Sequence, residues 1–123
     1  MRVPVCVKSS LLLFVPGIKH ILGGKTIFGI CTAVLGTVSV MNHGSVGGRS
    51  IQVVDRVLAH AIPAMYVIYH PTAIVVGSTI YCGSLFMYGK YIRRRYYPGF
   101  RLCHSIMHAH LHAIAAAAMC TIS

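Results

Sequence analysis

Long apolar stretches separated by short, breaker-rich connections dominate the chain. A bilayer crossing takes roughly 17–25 mostly apolar residues. Residues 25–43 form a clean run, and residues 51–69 are apolar apart from Asp55, Arg56 and His60. Residues 72–89 carry no charge, and residues 101–122 are interrupted only by Arg101 and a set of His before the run Ala113–Ala118. Between them lie a Gly-rich segment at 44–50, the pair His70–Pro71 and the turn Tyr97–Pro98–Gly99, all helix stops. Connections this short make each helix antiparallel to the one before it. The pattern predicts an all-α, polytopic transmembrane bundle of four spans in a single domain, 1–123.

Residues 1–24 leave two readings open. A basic start and the run Leu11–Val15 resemble a signal peptide, but Pro16 interrupts the run and no A-x-A-like cleavage site follows. A short fifth span over residues 3–18 and a half-inserted segment both fit.

Composition narrows the function classes. Hydrophobic residues make up 56 % of the chain and charged ones 10 %, against about 25 % charged in soluble domains. Asp55 is the single acid against eleven Lys plus Arg, giving a net charge of +10 with His neutral. Chemistries that need several carboxylates, such as glycoside hydrolysis, are thereby excluded. A disordered basic tail is excluded by the apolar content. The five Cys are widely spaced with no C-x-x-C pair, so they indicate neither a zinc ribbon nor a disulfide framework.

Cations sort by side. Arg49, Arg56, Lys90, Arg93, Arg94, Arg95 and Arg101, seven of the eleven, lie at the end that holds the 44–50 and 90–100 loops. The positive-inside rule makes those loops cytoplasmic and the chain a multi-pass integral membrane protein. Lys90 and Arg93–Arg95, interleaved with Tyr, suit anionic lipid head groups. Nucleic acid is set aside as partner because spans tether that loop on both sides.

The antiparallel layout gathers the unusual residues at this basic end. The first span ends there with Ser39 and His43, the second begins there with Asp55, and the fourth begins with His104 and His108. His104 and His108, at i and i+4, project from one helix face and could share one ion. Zinc takes neutral imidazole at about 2.0–2.1 Å, with a catalytic site leaving its fourth position to water. His43 would be the third ligand and Asp55 the partner of the water. Ser39 could donate to a substrate carbonyl or its oxyanion.

Ser39-x-x-x-His43, an Asp early in the next span, and His104-x-x-x-His108 together resemble the pattern of the CREST superfamily, which includes alkaline ceramidases, progestin/adiponectin receptor-type proteins and haemolysin III-like proteins. The match spans residues 39–108, compressed to about four spans. The resemblance implies a membrane-embedded zinc hydrolase acting on lipid amides or esters, with His43, His104 and His108 on the metal and Ser39 and Asp55 beside the water.

Other readings compete for the same residues. Asp55 could pair with Arg56 or with Arg93–Arg95 at the interface. His104, His108 and His112 form a stripe that could be polar glue between helices. Counted along the helix, His112 lies about 12 Å beyond His104, too deep for the proposed metal. Paired with His60 it would instead suit a haem. His20 and His70 fall at the far side as interfacial residues. Gly29, Gly36, Gly77 and Gly83 would permit close helix approach. The rival class is a non-enzymatic membrane subunit of a larger assembly, such as a respiratory complex or a membrane-containing virus particle, its positive charge inviting an acidic partner.

Overall fold

All regular structure among the described residues is helical. The computed structural model describes the backbone of residues 4–96 and 101–122 and the side chains of residues 5–88 and 106–122. An amino-terminal rod comprises α1 (Pro4–Ser10), a 3-10 turn (Leu11–Leu13) and α2 (Phe14–Leu22). It is followed by α3 (Thr26–His43), α4 (Gly48–Tyr69), α5 (Ala73–Tyr96) and α6 (Arg101–Cys120).

Three of these rods are long and apolar enough to cross a membrane: Val5–Leu22, Thr26–His43 and Gly48–Tyr69. The apolar parts of α5 and α6, Ala73–Tyr88 and Ile106–Cys120, are shorter. The expected spans at 25–43 and 51–69 are therefore present as full-length helices. Those at 72–89 and 101–122 are apolar helices of lesser reach.

Pro16 does not break the amino-terminal rod. A proline removes one i→i−4 hydrogen bond and crowds the carbonyl four residues earlier. Here that carbonyl belongs to Leu12, inside the 3-10 turn, where the backbone is already off the α-helical ladder. The rod thus continues to Leu22 and becomes the fifth helical element.

Local chemistry sets the other ends. Gly24 (φ 87°) turns the chain into α3, and Gly47 (φ 88°) caps α4, its Cα facing the Ile51 side chain so closely that a Cβ would collide. His70 is extended because it precedes Pro71, which stops α4 at Tyr69. Thr72 caps α5 by accepting the Val75 N–H at 3.2 Å. The backbone of α5 stays helical to Tyr96, so the basic run expected in a loop at 90–96 extends this helix instead. The side chains of Lys90 and Arg93–Arg95, with their proposed lipid contacts, lie outside the described residues.

The rods do not pack in chain order. The amino-terminal rod lies against both α3 and α6, α3 packs on α4, and α6 packs on α5. Leu13, Leu35, Ile62, Tyr66, Val75, Ala116, Met119 and Ile122 form the shared core, so every rod contributes to it. In hydrocarbon, burying such side chains against each other gains little over lipid contact, so close packing decides association. Gly17 and Gly29 supply it: a Cβ on Gly29 would sit 2.5 Å from the Gly17 carbonyl oxygen. Gly77 and Gly83 face open space and have no such role. Outside the core, Leu22, Ile27, Ile68 and Ile80 are all at least 65 % exposed, an apolar exterior suited to lipid rather than water.

A polar network fastens the end opposite the basic loops. His20 and Tyr66 are buried with His20 Nδ1 2.8 Å from the Tyr66 hydroxyl, and that hydroxyl is 2.8 Å from Thr32 Oγ1. His20 Nε2 donates to the Ile122 carbonyl at 3.3 Å, and Thr32 donates to the Phe28 carbonyl at 2.8 Å. Tyr66 therefore donates to His20 Nδ1, and the single Thr32 proton is shared between the Phe28 carbonyl and the Tyr66 oxygen. Lys19 adds hydrogen bonds to the carbonyls of Cys120 and Ile122, tying the end of α6 to α2. His20 is thus a buried strut between rods, not an interfacial residue. His70, half-buried, sets its ring against Phe28 at 5.1 Å.

Candidate metal centre

Three imidazoles converge where α3 ends against α6. His43 stands in the last turn of α3, four residues after Ser39 and on the same helix face. His108 and His112 stand one turn apart on α6. Ring centroids are 4.8 Å apart for His43–His108, 4.8 Å for His108–His112 and 5.3 Å for His43–His112, all edge-on. One nitrogen from each ring lies within 4.8 Å of the others, close enough to hold a metal ion. His43, His108 and His112 would be the residues to hold such an ion.

The donor chemistry fits an ion independently of the spacing. His43 Nε2 is the one fully buried side-chain nitrogen or oxygen without a hydrogen-bond partner among the described residues. Leaving such a group unsatisfied costs about 1–3 kcal/mol, and a metal would satisfy it. Three neutral imidazoles suit zinc, copper, iron and nickel alike, so the ligand set alone does not choose among them.

His112 corrects the depth argument. Counting along the helix from His104 put it too deep for the proposed metal, yet its ring completes the trio. Its Nδ1 is 2.7 Å from Ser9 Oγ and 3.5 Å from Ser10 Oγ, both on the amino-terminal rod. His43 and His108 come together as expected, while the side chain of His104 lies outside the described residues.

Asp55 lies two turns into α4 and is buried at 7 % exposure. Its Oδ1 accepts a hydrogen bond from Ser39 Oγ at 2.6 Å, and its Oδ2 accepts one from Asn42 Nδ2 at 2.6 Å. Each charge-assisted bond is worth about 1.5–3 kcal/mol, enough together to offset the roughly 2.5–3.5 kcal/mol that an acid costs at a helix centre in the bilayer. Both partners are neutral, so these hydrogen bonds hold the carboxylate without Arg56. Ser39 gives its hydroxyl proton to Asp55, the proton the sequence reading assigned to a substrate oxygen. Asp55 keeps further lone pairs beyond these two bonds.

No family model, curated protein or solved structure matches this chain.

His60 and His110 are engaged elsewhere. His60 is exposed, bonds through Nδ1 to the Arg56 carbonyl at 2.7 Å and sets its ring against Phe86. It and His112 make separate contacts. His110 points to α5, its Nε2 2.9 Å from the Tyr81 hydroxyl.

Sequence reasoning missed Asn42, Ser9 and Ser10. Asn42 is adjacent to His43 and carries a polar amide into an apolar helix, a visible signal. Ser9 and Ser10 form a hydroxyl pair in an otherwise apolar segment, and such pairs bond back to carbonyls one turn earlier. Their proximity to His112 follows only from the packing of the first rod on α6.

Proposed function

We propose that this chain is a membrane-embedded, zinc-dependent hydrolase acting on lipid amides or esters. The observation that carries the reading is the convergence of His43, His108 and His112; the buried carboxylate of Asp55, on the next helix, is hydrogen-bonded to Ser39 and Asn42 on the helix that carries His43. Zinc bound by three imidazoles would keep one position for water and polarise a carbonyl. Asp55, fixed by Ser39 and Asn42, is the group available to accept a proton beside the ion. The apolar exterior favours a substrate that arrives from the lipid phase.

We propose an orientation as well. Ser9 beside His112 and Lys19 beside Cys120 mean that the first rod runs parallel to α6. Lys8 would then join the basic end, the end that the positive-inside rule would make cytoplasmic. The metal centre would sit just beneath that face.

Protein reconstituted in vesicles with zinc should release fatty acid from a lipid amide or ester, and His112→Ala should abolish the release. Equal release by the wild type and the variant, or none from either despite bound zinc, would remove the hydrolase reading.

A further inference from the structure

The amino-terminal rod contributes more than a fifth helix. Ser9 Oγ donates to the Cys6 carbonyl at 3.1 Å, and Ser10 Oγ donates to the same carbonyl at 2.6 Å. A serine hydroxyl has one proton, and a carbonyl can only accept. The Ser10 proton is spent on Cys6, and with the Ser9 proton assigned to the same carbonyl the hydroxyl oxygens facing His112 are left as acceptors. On that assignment His112 Nδ1 is the donor at its 2.7 Å contact with Ser9 Oγ. A neutral imidazole protonated at Nδ1 has its lone pair on Nε2.

We infer that Ser9 and Ser10 are positioning residues that hold His112 in the Nδ1–H form, presenting Nε2 to the centre shared with His43 and His108. Ser9 is buried and Ser10 has no exposed surface, so water does not compete for these contacts. Metal-bound histidines commonly donate their second nitrogen to an oxygen acceptor, which fixes the ring and its tautomer. Here the acceptor comes from a helix at the opposite end of the sequence, so a truncation after Ser10 would remove the support while sparing all three imidazoles.

The inference rests on the metal reading only for its consequence and is tested without metal. Metal-stripped full-length protein labelled with nitrogen-15 at histidine is observed above the imidazole titration range, with His112 assigned through its loss in His112→Gln. The expected spectrum shows a protonated Nδ1 and an unprotonated Nε2, and Ser9→Ala/Ser10→Ala shifts His112 toward the Nε2–H form. Zinc affinity in that double variant should fall by about 10–100-fold, whereas Ser9→Thr, which keeps the hydroxyl and reports on folding, should retain both properties. A wild-type His112 protonated on Nε2, or unchanged zinc affinity in the double variant, would overturn the inference. A wild type with the Nδ1–H form that binds no zinc would uphold the positioning and instead sink the hydrolase proposal.

Discussion

Ser39 on α3 and Asp55 on α4 meet through a buried hydrogen bond of 2.6 Å. It joins the only acid of the chain to the helix that carries His43. Two consequences can be separated by substitution. Ser39→Ala strips one charge-assisted bond from a buried carboxylate and should destabilise the protein by about 1.5–3 kcal/mol, read from unfolding in detergent. Asp55→Asn keeps the shape, and the Ser39 and Asn42 groups can turn to meet an amide. That variant should stay folded and retain metal while hydrolysis drops by about 100-fold or more. Retained hydrolysis in Asp55→Asn would leave the carboxylate a structural role alone.

The far-end network makes a contrasting case. Tyr66→Phe removes the hydroxyl that joins His20 to Thr32, leaving His20 Nδ1 without its donor. Interhelical hydrogen bonds in membranes average about 0.6 kcal/mol, so losing two should cost about 1–2 kcal/mol. Metal content should not change, because the network fastens the end of the bundle away from the histidine trio.

Glycine positions separate packing from propensity. Gly29→Ala would force backbone apart where α2 meets α3, since the new Cβ meets the Gly17 carbonyl and the Ile21 backbone nitrogen. Overpacking of this kind costs about 1–3 kcal/mol. Gly77→Ala meets nothing within 4 Å and should stabilise α5 by up to about 1 kcal/mol through helix propensity alone. Thermal unfolding of the two variants should therefore move in opposite directions.

Metal binding should be lost on acidification. Imidazole ligates only when neutral, so protons compete with the ion for it. Affinity should hold at pH 8 and fall as the medium is acidified, with protons taken up as the ion is released. Isothermal titration at several pH values checks both the direction and the proton count.

Much of the fold was legible because apolar length and breakers are local properties. The ends of α3 and α4 lie within a few residues of the apolar runs at 25–43 and 51–69, because Gly24, Gly47 and His70–Pro71 stop helices by their own chemistry. The meeting of Ser39 and Asp55 was legible too, since a tight connection between antiparallel helices fixes their register. The α6 partner was harder. Choosing the turn of α6 that faces His43 needs the helix register to within one turn, about 6 Å, which tilt and packing set rather than residue counting. The placement of the first rod between α3 and α6 is a long-range contact that no local pattern encodes. Ser9 and Ser10 became part of the site only through it.

The central claim is that His43, His108 and His112 bind one metal ion together, and metal stoichiometry tests it most directly. Protein purified without chelators should carry about one zinc per chain by elemental analysis, falling to near zero in His43→Ala and in His112→Ala but unchanged in His60→Ala. Less than about 0.2 zinc per chain in the wild type after incubation with the metal, or content indifferent to His112→Ala, would contradict it.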